Sequence, residues 1–228
     1  MMGNRVFTTA RAIARLVTTL CFDIKVHGAR NVPMKGGVLI VANHQSYIDP
    51  AAIGAHVRRM TNYVGKSELF EKPLANWVNR SMGAFPVRQG EGDIGAVREA
   101  IKRLKEGAAL VLFPEGSRTF DGELQPIAPG VGLIAKKAGV PVVPCVIEGS
   151  FDAWPRGQSI WSVHPVRMRF GPPMKIDHLK ATAIVQVIDQ TFHRMLTELR
   201  AEMKEEFGRD VARKSLRKNL PTSIEGDQ

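Results

Sequence analysis

The chain has 228 residues, 44% of them hydrophobic and 24% charged, with a formal net charge of +10 and a pI near 9.9. That length buries a substantial core without a second domain, and the ordinary composition excludes a wholly disordered chain. The basic balance points to an anionic partner, which nucleic acid, an acidic membrane surface or a phosphorylated substrate would each provide.

Taken in order, residues 1–21 hold no run near the ~20 apolar residues that cross a bilayer. Arg5, Arg11 and Arg15 also break any signal-peptide layout. On a helical wheel Val6, Ala10, Ile13, Val17 and Leu20 share one face, opposite Thr8, Arg11, Arg15 and Thr19. This basic amphipathic helix suits either the plane of an anionic membrane or packing on the domain. Cys21 and Cys145 lie too far apart in sequence to suggest a disulfide framework or a metal site, which fits reducing, cytoplasmic surroundings. Residues 22–26 alternate as an edge strand closed by His27-Gly28.

After Gly36-Gly37, residues 38–42 (Val-Leu-Ile-Val-Ala) form an apolar run typical of a strand buried on both faces. Asp49-Pro50 then supplies an N-cap and a first-turn proline for a helix over 50–59. A strand at 62–65, a helix at 73–80 and a strand at 83–87 follow. The helix over 95–106 places Ile94, Val97, Ile101 and Leu104 on one stripe, and Gly107 ends it. Residues 108–113 are again an apolar strand, Pro129-Gly130 opens a helix to Lys137, and residues 140–147 are a further buried strand. Trp154 and Trp161 then lie in a loop positioned to meet lipid or cover the site. Residues 166–170 alternate as a strand with one wet face, residues 179–207 form a long helix, and Arg209, Arg213, Lys214, Arg217 and Lys218 make a basic tail. Strands alternating with crossover helices indicate a single α/β domain over 22–207. Its mostly parallel central sheet is covered by helices, with the N-terminal amphipathic helix at 1–21 and a basic, flexible tail at 208–228.

Parallel strands bring their C-terminal ends to one edge, where open α/β sheets place their ligands. Four polar clusters fall there: Asn43-His44 with Asp49, Lys66 with Arg88, the run Glu115-Gly116-Ser117-Arg118, and Glu148-Gly149. A histidine becomes a general base when a carboxylate fixes its tautomer and stabilises the imidazolium, and Asp49 is close enough to reach back to His44. There is no Gly-x-Ser-x-Gly elbow and no cysteine beside a histidine, and Ser46 is a poor rival nucleophile. That absence points to a base that activates a hydroxyl on the substrate itself. In the second loop Arg118 is able to bind phosphate bidentately, Gly116 permits close backbone approach, Ser117 adds a donor, and Glu115 is able to orient Arg118 or a substrate hydroxyl, although a polar turn with a surface salt bridge uses the same residue types.

Five segments in order now resemble the motif series of the glycerolipid acyltransferases. They are Asn43-His44-Gln45-Ser46-Tyr47-Ile48-Asp49-Pro50, Gly65-Lys66, Gly83-Ala84-Phe85-Pro86-Val87-Arg88, Phe113-Pro114-Glu115-Gly116-Ser117-Arg118-Thr119 and Val140-Pro141-Val142-Val143-Pro144. The likeness spans about residues 22–171 and is nearest to the bacterial 1-acyl-sn-glycerol-3-phosphate acyltransferases. Ser117 stands where the family commonly has threonine, and Arg88 lacks the acidic residue often found just before it.

The resemblance implies that His44, oriented by Asp49, deprotonates the sn-2 hydroxyl of lysophosphatidic acid, which attacks an acyl thioester directly to give phosphatidic acid. The donor is acyl-CoA or acyl-carrier protein, and neither a cofactor nor a metal is implied. Arg118, Arg88 and Lys66 would hold the acceptor phosphate, and Asn43, Glu115, Gly116 and Ser117 would complete the substrate site. This phospholipid-biosynthetic role favours anionic membrane lipids over nucleic acid as the partner, because the cations lack interleaved aromatics and no nucleic-acid module is present. It places the enzyme, peripheral or monotopic, on the cytoplasmic face of the cell membrane. The alternatives are acylation of another lysophospholipid or a lyso-amino-acid lipid, or a non-catalytic lipid-binding relative.

Overall fold

Three apolar runs make the centre of the molecule: β2 (Val38–Ala42), β5 (Ala109–Leu112) and β6 (Val142–Glu148). The structure, a computed structural model, describes residues 2–66, 71, 83–87 and 94–208. β2 lies between β5 and β6 and is parallel to both, with Val38 opposite Ala109 and Leu39 opposite Val142. Every residue of β2 and β6 is buried, as a strand covered on both faces requires.

β3 (Thr61–Lys66) and β4 (Ala84–Val87) extend the parallel sheet beyond β5. On the other side β7 (Val166–Phe170) is antiparallel to β6, and β1 (Ile24–His27) forms the edge, so the order is β1-β7-β6-β2-β5-β3-β4. The sheet is mostly parallel, as expected, with β1 and β7 running against the other five strands.

The pleat of β2 divides the core. Val38, Ile40 and Ala42 face a cluster with Ile53 and Val111, under α1 (Met2–Phe22) and α2 (Asp49–His56). Leu39 and Val41 face the opposite layer, made by α3 (Ile94–Lys105), α4 (Gly130–Ala138) and α6 (Ala181–Phe207). At about 25 cal/mol per Å² of apolar surface, such two-sided burial is the main favourable term of the fold. The helix expected at 73–80 and the tail beyond Gly208 lie outside the described residues.

α1 packs on α2 through the side that carries Arg11 and Thr18. Arg11 Nη1 donates to Val57 O at 3.0 Å, and Thr18 is buried. Ile13, Leu16, Val17 and Leu20 are left exposed. No helix among the described residues is long and apolar enough to cross a membrane.

The alternation in β7 does not give a wet face, which corrects the sequence reading. Arg167 is only 3% exposed, because α6 covers that face and brings carboxylates to it. Glu206 accepts from Arg167 at 2.9 Å and also pairs with Lys25, while Arg169 pairs with Glu202 and lies 3.7 Å from Glu198. Alternation identifies two faces of a strand, but a helix with matching charges can bury the polar one.

Hydrogen bonds from Arg167 and then Lys25 pull the Glu206 carboxyl from 4.5 down to about 2. Its stabilising contribution is therefore complete above pH 4.5 and is lost as the pH falls toward about 2. Glu206→Gln is expected to flatten the loss of stability across that window, read from denaturant midpoints at successive acidic pH values.

Candidate active site

Beyond Ala42 the chain stays anchored to the sheet through a side chain. Asn43 Nδ2 donates to Ile147 O at 2.9 Å, and its Oδ1 accepts the Ile147 N–H at 2.7 Å. Asn43 is thus buried against β6, where it fixes the backbone from which His44 projects.

Asp49 was expected to cap α2, but it is the first helical residue, and the N-cap position is held by Ile48 with no side-chain cap bond. Its carboxylate turns back over the preceding loop instead. Oδ2 accepts the Gln45 and Ser46 N–H groups, each at 2.7 Å, and lies 2.9 Å from His44 Nδ1. Two backbone donors thus hold the fully buried oxygen that faces the imidazole. Nδ1 is the proton-bearing nitrogen in this arrangement, which leaves Nε2 as the basic one.

The His44 ring stacks on Phe113 with centroids 4.0 Å apart and planes 22° apart, and its side chain remains 17% exposed. Phe113 follows β5, so the ring is braced by the neighbouring strand end. Two backbone bonds join these loops: the His44 N–H donates to Glu115 Oε1 at 3.0 Å, and the Thr119 N–H donates to His44 O at 2.9 Å. Glu115 Oε2 also accepts the Gln125 N–H at 3.3 Å, so its carboxylate braces the loops. Burial pushes the Glu115 carboxyl up to about 7 despite those two N–H bonds.

Gly116 has φ +73°, and a Cβ there would meet open space, so backbone conformation alone demands glycine. Ser117 is partly exposed beside it. Arg118 sits over the Tyr47 ring, with Cζ 3.4 Å from the centroid, and its buried Nη1 makes no hydrogen bond among the described residues. A buried guanidinium N–H without an acceptor is costly, and an anionic oxygen would relieve that cost.

Lys66 ends β3 on the same sheet edge, but its side chain and all of Arg88 lie outside the described residues. Glu148, at the end of β6, is buried and accepts from Arg200 at 2.9 Å. Ser46 is fully buried and donates to Trp154 O at 2.6 Å, which removes it as a nucleophile. Burial likewise raises the Cys145 thiol.

The structure brings together His44, Asp49, Glu115, Gly116, Ser117 and Arg118. Two aromatics that support the site, Tyr47 under Arg118 and Phe113 under His44, were not singled out from the sequence. Their adjacency to the polar motifs was the available signal, since planar groups orient imidazole and guanidinium by stacking.

The family model described as Acyltransferase matches residues 23–148, which include every site residue named above. The chloroplastic 1-acyl-sn-glycerol-3-phosphate acyltransferase BAT2 of Brassica napus is 30% identical over 139 residues, covering 60% of this chain and 40% of that protein. The lyso-ornithine lipid O-acyltransferase of Pseudomonas aeruginosa is 34% identical over 149 residues, covering 64% of this chain and 55% of that protein. The chain thus matches only about half or less of the length of these two relatives. The crystal structure of the 1-acyl-sn-glycerophosphate (LPA) acyltransferase from Thermotoga maritima superposes with a TM-score of 0.77 at 27% identity, covering 87% of this chain and 82% of that one.

Proposed function

The chain belongs to the Acyltransferase family, and on that premise we propose that it acylates the sn-2 hydroxyl of lysophosphatidic acid, forming phosphatidic acid. The observation that carries this reading is the His44–Asp49 contact at 2.9 Å, tied through a backbone bond to the loop of Arg118, whose buried Nη1 has no hydrogen-bond partner among the described residues.

His44 Nε2 takes the proton of the acceptor hydroxyl as that oxygen attacks the thioester carbonyl carbon of acyl-CoA or acyl-carrier protein. Asp49 stabilises the imidazolium. Collapse of the tetrahedral intermediate breaks the C–S bond, and the proton returns from His44 to the leaving thiolate, so no group stays on the enzyme. Arg118 holds the acceptor phosphate, and Tyr47 keeps its guanidinium in place. The exposed apolar stripe of α1 supports a peripheral or monotopic position on an anionic membrane, and the cytoplasmic face is the side proposed for it.

A second acceptor is raised by the 34% identity to an enzyme named for lyso-ornithine lipid. That lipid carries no phosphate, so one variant separates the readings. With lysophosphatidate as the physiological acceptor, Arg118→Ala is expected to raise its KM about 10- to 150-fold, the equivalent of a charged hydrogen bond worth about 1.5–3 kcal/mol, with little change in kcat. Steady-state turnover against lysophosphatidate, other lysophospholipids and lyso-ornithine lipid, each with both donors, checks this. Wild-type turnover on lyso-ornithine lipid alone, unaffected by the substitution, would overturn the phosphate-acceptor reading.

A further inference from the structure

The 154–163 segment, between α5 (Ser150–Ala153) and β7, carries an apolar surface that the chemistry above does not use. Ile160 and Val163 are each 78% exposed and Trp161 is 48% exposed. The loop is nevertheless built. The Ser162 N–H donates to Ala153 O at 2.8 Å, Ser162 Oγ donates to Asp152 O at 2.9 Å, and the Trp154 indole N–H donates to Gln158 O at 2.9 Å. Large apolar side chains turned outward from a tied-down loop mark a surface that meets something apolar.

Ring contacts place that surface between two features already described. Trp161 lies 6.2 Å from Phe22 at the end of α1 and 5.7 Å from Trp154, which lies 5.4 Å from Tyr47. The loop therefore connects the exposed stripe of α1, ending at Leu20, to the ring that carries Arg118. Charge selects the occupant. The chain has 22 carboxylates, yet none falls in residues 1–22 or 153–176, while Arg15 and Arg156 are exposed there. Apolar segments that contain no carboxylate and carry exposed arginines match an anionic lipid boundary, where tryptophan is also favoured.

We propose that the 154–163 loop is a bilayer-contacting element. Ile160, Trp161 and Val163 enter the headgroup boundary of an anionic membrane alongside the C-terminal half of α1. The acceptor site then lies at the membrane plane, so a lysolipid reaches Arg118 without leaving the interface. This inference rests on the reading that the acceptor is a membrane lipid.

The full chain and its Ile160→Ser/Val163→Ser double variant are to be compared on vesicles of phosphatidylcholine and phosphatidylglycerol. The variant is expected to partition at least tenfold more weakly, while turning over a monomeric short-chain lysophosphatidate at the wild-type rate within twofold. In a second measurement, brominated acyl chains are expected to quench wild-type tryptophan fluorescence, and Trp161→Phe is expected to remove most of that quenching. Wild-type binding that the double variant retains in full, without bromine quenching, would overturn the loop's role and leave the acyltransferase reading intact. Failure of the wild type to bind vesicles while it acylates lysophosphatidate would overturn the membrane reading as well. A wild-type dimer that becomes monomeric in the variant at unchanged vesicle affinity would instead assign the surface to a second copy of the chain.

Discussion

Replacing His44 with alanine is expected to lower kcat for acyl transfer to lysophosphatidate by about 10²–10⁴-fold, the contribution of a positioned general base. Without a base the acceptor hydroxyl must attack while still protonated, and no other group among the described residues of the site replaces Nε2. Ser46 is buried and bonded to Trp154 O, and Glu115 is occupied by the His44 and Gln125 N–H groups. The fold is expected to survive, because the imidazole is partly exposed and its loop is also held through Asn43, Glu115 and Thr119 backbone and side-chain bonds. Steady-state kinetics beside a thermal unfolding curve checks both halves. A wild-type kcat in a folded His44→Ala protein would remove His44 from the reaction.

Asp49→Asn gives the second large effect, and its cause is more specific. The three contacts at Asp49 converge on Oδ2, while Oδ1 is buried without a hydrogen bond among the described residues. An asparagine that places its oxygen at the Oδ2 position keeps the Gln45 and Ser46 bonds and the His44 tautomer, loses the negative charge, and puts its amide N–H groups at the buried Oδ1 position, where no acceptor lies among the described residues. A charged hydrogen bond is worth about 1.5–3 kcal/mol, so kcat is expected to fall about 10- to 150-fold, while the buried amide donor lowers stability by about 1–3 kcal/mol and leaves the fold in place. Asp49→Ala would instead orphan three donors and unfold the loop. A folded Asp49→Asn protein with wild-type kcat would reduce Asp49 to a structural role.

The centre of the fold was legible because β2, β5 and β6 are apolar without interruption, and only a sheet covered on both faces accommodates such strands. The pairing of His44 with Asp49 was allowed by spacing and residue type, but only the ordered motif series around it made it specific. What Asp49 does beyond that was not, because helix-start chemistry and loop closure use the same side chain, and only the path of residues 44–46 decides between them. The covered face of β7 was hidden for a similar reason: Arg167 finds Glu206 and Asp23, far from it in sequence. The orientation of α1 also depends on tertiary contact. The wheel separates its faces, but tertiary contacts such as the bond from Arg11 to Val57 O decide that the side with Arg11 and Thr18 packs on the domain, while Leu20 as well as Thr8, Arg15 and Thr19 stay outward. Tyr47 and Phe113 gain their roles only once two distant loops meet.

Base and nucleophile remain distinct roles for the same imidazole, and loss of activity on removing it does not separate them. The direct measurement is the intact mass of the protein after mixing with acyl-CoA in the absence of acceptor, followed by addition of lysophosphatidate. Direct attack predicts an unchanged mass and no free thiol in the first step, then phosphatidate and free CoA in equal amounts in the second. An acyl adduct on the protein that is discharged by lysophosphatidate would contradict His44 as a base that acts on the acceptor hydroxyl.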